Sequence, residues 1–294
     1  MKKILILLAV LLLLSGCRTP DSTTDIAATT LPVYEFTARL CEGTGLQVSQ
    51  LVTESVSCLH DYSLNVRQVQ TVEAADLIVI NGAGLEEFMH DLIHDRDVID
   101  ASAHIEIIEC DDHHDHEADH GNGHDGHNHE VDSHIWLSPE NARTMAANIY
   151  AGLIARYPEH QLIFEQNLAA LIADFDTLEN YATQELHSLS CRDLVTFHDG
   201  FSYLAESFDL HILKALEEES GAEASAAELK EIIGIVREHH LPAIFTELNG
   251  SDSAARIIAA ETGIRSYALD MAMSGDSWFD AMYHNIDTLK EALE

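Results

Sequence analysis

The chain has 294 residues, with 51 acidic against 15 basic side chains and a formal net charge of −36 at neutral pH. Such a field repels nucleic acid and anionic ligands and gathers cations. The length is generous for one domain and comfortable for two, so the core can form without disulfide staples.

Met1-Lys2-Lys3, the apolar run ILILLAVLLLL and then Ser15-Gly16-Cys17 predict a secretion signal over residues 1–16. The apolar run is too short for a comfortable membrane span. Small residues directly before a cysteine resemble the lipobox of bacterial lipoproteins. That resemblance implies lipidation of Cys17, which becomes the new first residue, and a polar tether over residues 17–24. Loss of Lys2 and Lys3 leaves 13 basic residues and a formal charge near −38. Cys41, Cys58, Cys110 and Cys191 remain; an extracytoplasmic setting permits disulfides among them but no pairing can be read.

From residue 25 to residue 157, short apolar runs alternate with amphipathic ones. DIAATTL, LQVSQLV, DLIVING and HIEIIEC read as strands, and VYEFTARLCEGTG, VRQVQTVEAA and LEEFMHDLIHD as helices. This alternation predicts parallel βαβ units in an N-terminal α/β domain. Within it, Cys110 to Glu130 reads CDDHHDHEADHGNGHDGHNHE. Imidazoles and carboxylates suit a borderline divalent cation such as Zn²⁺. The tract lacks the apolar residues that would offset its ordering entropy. Residues 111–130 are therefore expected to form a loop of weak, exchanging accessory sites, at His113, His114, His116, His120, His124, His127 and His129.

Pro158 opens a different segment. No Gly or Pro occurs from Glu159 to Asp199, and Phe164, Leu168, Leu171, Phe175 and Leu178 recur at alternating spacings of four and three. That pattern predicts a long helix with one apolar stripe, a rigid link over residues 158–192. If thirty residues are helical, it spans about 45 Å. The βα alternation then resumes over residues 193–294 through DLVTFH, FSYLAESF, SAAELKEIIGIVREHH, LPAIFTE, SAARIIAAETG, IRSYALD and a closing helix from about Ser277. The fold class expected is α/β, two βαβ-type domains joined by one long helix, with a metal site in the cleft between them.

Open α/β sheets bind ligands beyond the carboxyl ends of their strands. Metal-competent residues placed there are His60 after LQVSQLV, His134 after HIEIIEC and its insertion, His198 after DLVTF and Asp270 after IRSYAL. Three imidazoles and one carboxylate make a tetrahedral shell suited to Zn²⁺. Glu247, at the end of PAIFT, is an alternative ligand or an outer carboxylate orienting an imidazole. His90 and His94 on one helix face read as solvated positions, and His239-His240 at a helix end interact with its dipole and need no metal; His104, His160, His187, His211 and His284 show no partner in the sequence. Trp136 and Trp278 are expected to pack near the cleft.

HDYSL from His60 with VEAADLIVINGAGLEEFM, DSHIWLSPENA around His134, FHDGFSYLAESFDL at His198, and YALD with the closing YHNIDTL helix resemble, in order, the four ligand segments of the zinc-binding solute-binding lipoproteins of metal ABC transporters, the ZnuA-like group. The resemblance covers nearly the whole mature chain, and an acidic His-rich insertion before the second ligand is also a feature of the group's zinc importers. It implies an extracytoplasmic, membrane-anchored zinc receptor, not an enzyme, acting as a monomer that passes Zn²⁺ to an ABC permease. Three departures bear on the site. Ser133 stands where the group usually has Pro, and Leu59 where some zinc importers have Glu. Glu247 stands where manganese-preferring relatives draw a carboxylate ligand. A manganese receptor of the same architecture, a zinc hydrolase using the same cluster, and a His-rich adhesin or metal buffer are the competing readings. Against the hydrolase, no HExxH motif is present and four protein ligands leave no place for water.

Membrane attachment through Cys17 is expected to be lost in Cys17→Ser, which should move the protein into the soluble extracytoplasmic fraction. Unchanged membrane association together with an unchanged mass would rule out lipidation.

Overall fold

Residues 24–54, 59, 62–109, 131–216 and 224–294 are described by a computed structural model. The expected signal, Cys17, His60, Cys58, Cys110 and the His-rich run 111–130 lie outside the described residues. The first half contains β1 (Ile26–Ala28), α1 (Leu31–Cys41), β2 (Val48–Gln50), α2 (Val66–Ala74), β3 (Leu77–Ile80), α3 (His90–Ile93) and β4 (Val98–Asp100). Two long helices follow, α4 (Pro139–Arg156) and α5 (Gln161–Leu186). The second half contains β5 (Asp193–Thr196), α6 (Ser202–Ser207), β6 (His211–Ala215), α7 (Ala226–Glu238), β7 (Ala243–Glu247), α8 (Ser253–Thr262), β8 (Arg265–Leu269) and the closing α9 (Trp278–Leu293).

All pairings between these strands are parallel, in the orders β2-β1-β3-β4 and β6-β5-β7-β8. The two halves thus repeat one topology. Each has a crevice where the strand order reverses, between β1 and β3 and between β5 and β7. The helix boundaries follow from local chemistry. Asn65 with Gln68, and Ser225 with Glu228, form capping boxes at the starts of α2 and α7. Ser138 and Ser277 cap α4 and α9 through their side chains. Gly263 ends α8 at φ 80°, a conformation that costs a residue without Cβ little.

The α/β architecture expected from the sequence is present; two of its details differ. HIEIIEC is not a strand: Ile105, Ile107 and Ile108 pack half-buried against the core, and the stretch forms only an isolated antiparallel bridge, Glu109 to Val131. The fourth strand is instead VID at 98–100, and HILKA at 211–215 is a further strand that apolar patterning did not reveal. Both are edge strands carrying polar or charged residues, as edges tolerate. The long helix has about the length expected, 29 residues with its first turn included. One 3₁₀ turn, Pro158–His160, precedes its 26 residues, which span about 39 Å.

One continuous core runs through both halves. Phe164, Leu171, Phe175 and Leu178 of α5 are fully buried, with Leu168 half-buried at the stripe's edge. At its centre the rings of Phe36 from α1, Phe175 from α5 and Trp278 from α9 meet edge to face, with centroids 5.4–5.6 Å apart. Each such pair adds roughly 0.5–1.5 kcal/mol to the burial of its rings. The Glu35 carboxylate of α1 also accepts the Trp278 N–H at the start of α9. The last helix is therefore anchored on the first half. Cys41 and Cys191 are free thiols, the former buried. Among the described residues no helix is long and apolar enough to cross a membrane.

Glu86 lies buried at the β1/β3 crevice, where Thr29 Oγ1 and the Asn81 N–H donate to Oε1 and the Gly82 N–H donates to Oε2. Burial pushes its carboxyl up to about 7, against these three hydrogen bonds that lower it. The folded value is raised above the ordinary 4.5, so Glu86's stabilising contribution is full below that pH and is lost as pH rises through about 7. Glu86→Gln should flatten this fall by roughly 3 kcal/mol at most. Urea unfolding of both proteins across pH 4–8 would show it, and parallel stability curves would refute it.

Candidate metal centre

Parallel strands deliver the residues that follow them to one end of a sheet. In the second half, Phe197 continues β5 and brings His198 to the β5/β7 crevice, where Glu247 is the last residue of β7. Nδ1 of His198 lies 3.1 Å from Oε1 of Glu247, whose side chain is buried. His134 arrives from the first half on the turn that opens the 3₁₀ helix Ile135–Leu137 and then α4. Asp132 Oδ1 accepts the His134 backbone N–H at 2.9 Å and lies 2.8 Å from its Nδ1. The side chains of His134 and Asp132 are only 5% and 3% exposed, so bulk water does not screen this pair.

The Nε2 atoms of His134 and His198 stand 3.3 Å apart, with their rings perpendicular. A proton on each Nδ1 satisfies the carboxylate beside it and leaves each Nε2 with its lone pair. Two such lone pairs facing one another away from water repel unless a proton or a cation sits between them. A tetrahedral Zn²⁺ with bonds of about 2.0–2.1 Å to nitrogen has ligand-to-ligand edges of roughly 3.3–3.4 Å. The separation of the two imidazoles matches that edge.

Surrounding residues hold this arrangement. A Cβ on Gly200 would come 2.7 Å from Nδ1 and Cε1 of His134, so the His134 ring occupies the space that a side chain at position 200 would need. The turn before His134 is pinned by Asn81 Nδ2, which donates to the Ser133 carbonyl, and by Ser133 Oγ, which donates to the Ala83 carbonyl. Serine in place of the group's usual proline thus gains a hydrogen bond that proline cannot make. Trp136 donates its indole N–H to the Met271 carbonyl at 2.7 Å, and Trp278 donates to the Trp136 carbonyl at 3.0 Å. Both indoles are fully buried, and they tie the His134 segment to the loop that follows β8.

That loop carries Asp270. Its backbone N–H donates to Asn285 Oδ1, its carbonyl accepts from Asn285 Nδ2, and its Oδ1 accepts the Ala272 N–H. Of the sequence-derived ligands, the structure brings His134 and His198 together and sets Glu247 on the far nitrogen of His198. His60 is outside the described residues. Among the described residues no three His, Cys, Asp or Glu side chains form a ready metal-holding group, so Asp270 does not complete one with the two imidazoles. Sequence reasoning missed Asp132 and Gly200. The spacing of an acid two residues before His134, in DSH, was the available sign of the first. The requirement at Gly200 depends on a residue 66 positions away and leaves no local trace. His211, without a visible partner in sequence, and His239, at a helix end, flank Asp193 with Nδ1 atoms 3.4 and 3.6 Å from its two oxygens.

The family model described as zinc-uptake complex component A, periplasmic, matches residues 26–292. The chain is 30% identical to a zinc-binding lipoprotein, AdcA, of Streptococcus pneumoniae, over all of this chain and 62% of that protein. It therefore spans about three-fifths of that relative's length. It is 27% identical to the high-affinity zinc uptake system protein ZnuA of Bacillus subtilis, over 91% of this chain and 87% of that one. The solved Zn(II)-bound AdcA from Streptococcus pneumoniae superposes with a TM-score of 0.75 at 26% identity, covering 92% of this chain and 58% of the other.

Asp132→Ala should lower affinity for Zn²⁺ by about 10–100-fold, because the carboxylate that orients an imidazole sets both its tautomer and its basicity. Competition against a chromogenic chelator measures this directly. Wild-type affinity in the variant would show that His134 needs no such partner.

Proposed function

The chain belongs to the family of zinc-uptake component A proteins, a family of non-enzymatic solute-binding proteins, and from that premise we propose that it captures Zn²⁺ outside the cytoplasm and hands it to an ABC-type importer. The observation that carries this reading is the pair of Nε2 atoms 3.3 Å apart, each imidazole backed by a buried carboxylate on its other nitrogen. The metal is cargo. His134 and His198 supply two of its ligands, and His60 and Asp270 complete the shell on closure. Glu247 acts from outside the shell by holding Nδ1 of His198, as Asp132 does for His134.

Imidazole-rich shells favour zinc, whereas manganese prefers oxygen donors. If Glu247 replaced His198 on the metal, the same architecture would serve manganese. The relatives named as zinc-binding support the first reading. The acidic surface concentrates cations around the cleft, and the Cys17 anchor keeps the receptor at the membrane. Residues 25–157 and 193–294 then act as two lobes around the metal, with residues 158–192 as a stiff link that permits a small tilt.

His198→Ala should weaken zinc binding by about 100-fold or more, since it opens a four-membered shell. Competitive titration of the wild type with Zn²⁺ and Mn²⁺ should favour Zn²⁺. Affinity should fall on acidification because the ligating imidazoles must lose their protons. Tighter manganese binding, or full zinc affinity in His198→Ala, would overturn the assignment.

A further inference from the structure

The His-rich run joins Glu109 to Val131, three residues before His134. The described residues on either side of it, the two limbs, meet in a narrow neck. Glu109 and Val131 form an antiparallel bridge, and the Asp132 N–H donates to the Ile108 carbonyl at 3.0 Å. Tyr203, on α6 in the opposite half, reaches into this neck. Its Oη accepts the Ile108 N–H at 2.9 Å and donates to the Asp132 carbonyl at 3.0 Å. The tyrosine is 3% exposed, and its bond to Asp132 is buried. Asp132 is thus held from two sides: its backbone closes the neck, and its carboxylate orients His134.

We infer that Tyr203 is a positioning residue that insulates the metal centre from the His-rich run. The run combines seven histidines with a dense set of acids, so binding of cations or protons changes its charge and its preferred dimensions. Any resulting pull on the return limb is applied three residues from His134. A hydroxyl that bridges both limbs and belongs to the other half fixes Asp132 against that pull. The affinity of the tight site is then independent of what the run has bound. Without the hydroxyl, the return limb and the His134 ligand are mechanically coupled. The inference rests on reading His134 as a zinc ligand.

The test is a two-by-two comparison: wild type and Tyr203→Phe, each with residues 111–129 intact or replaced by Gly-Asn-Gly. Zinc affinity of the tight site comes from chelator competition, and Co²⁺ absorption reports the geometry of the shell. In the wild type, deletion should reduce the number of zinc ions bound and leave the tightest affinity unchanged. Tyr203→Phe with the run intact should lose about tenfold in affinity, as outer partners of metal ligands typically do, and should shift the Co²⁺ spectrum. Deletion of the run from Tyr203→Phe should restore both. A loss of equal size with and without the run would mean that Tyr203 is merely structural, and no loss at all would also overturn the inference. So would a wild-type protein that loses tight binding on deletion, because a histidine of the run would then belong to the shell. If Tyr203→Phe does not fold by circular dichroism, Ile108→Pro removes the N–H that the Tyr203 hydroxyl accepts and carries the same comparison. His134→Ala separates the two levels: retained affinity there refutes the metal-centre reading itself, whereas its loss beside an unaltered Tyr203→Phe refutes only the insulating role.

Discussion

The indole of Trp136 donating to the carbonyl of Met271 is the contact on which the geometry of the cleft depends. Trp136 follows His134 by two residues and Met271 follows Asp270 by one, so a single buried hydrogen bond sets the spacing between segments from the two halves. Leaving either group unpaired in this interior would cost about 1–3 kcal/mol. Trp278 closes the arrangement by donating to the Trp136 carbonyl, while its ring packs against Phe36 and Phe175. The base of the cleft is therefore continuous with the core.

Around this base the two halves place carboxylates in equivalent crevices, to different ends. Glu247 at the β5/β7 crevice faces Nδ1 of His198. Glu86 at the β1/β3 crevice accepts three hydrogen bonds and fixes the turn through Asn81, which in turn holds the Ser133 carbonyl. One carboxylate tunes an imidazole directly; the other shapes the backbone that delivers the second imidazole. On so acidic a chain, buried carboxylates are informative because each must find hydrogen-bond partners or give up its charge. Here the partners are N–H groups, a hydroxyl and imidazole nitrogens rather than lysine or arginine. A site arranged in this way has negative potential around neutral nitrogen donors, which favours a cation over a proton only where pH leaves the imidazoles free.

Much of this was legible in the chain itself. Strand–helix alternation gives parallel units because apolar runs of this length cannot bury both faces without covering helices, and the stripe through Phe164, Leu171, Phe175 and Leu178 marks the long helix. His134 and His198 could be singled out because residues just past parallel strands or at the start of a helix meet at one end of the sheet. The HIEIIEC stretch misled because apolar content alone does not make a strand. Its backbone needs a neighbouring strand, and at Ile108 the partner is the Tyr203 hydroxyl instead. The edge strands VID and HILKA escaped notice because each is short and its apolar residues are interrupted by Asp100, or by His211 and Lys214, which an edge tolerates.

The sequence by itself determined the class of fold, the acidic field, the types of donor and the segments that carry them, since these depend on composition and on short-range periodicity. Only the tertiary structure decided which nitrogen of each histidine faces a carboxylate, that Gly200 yields its space to the His134 ring, and that Tyr203 ties the neck of the insertion across the cleft. Those facts join residues tens of positions apart. They are fixed by distances of about 3 Å between groups whose chain neighbours give no sign of the meeting, because hydrogen-bond direction and close packing are properties of the assembled core and not of any local run of residues.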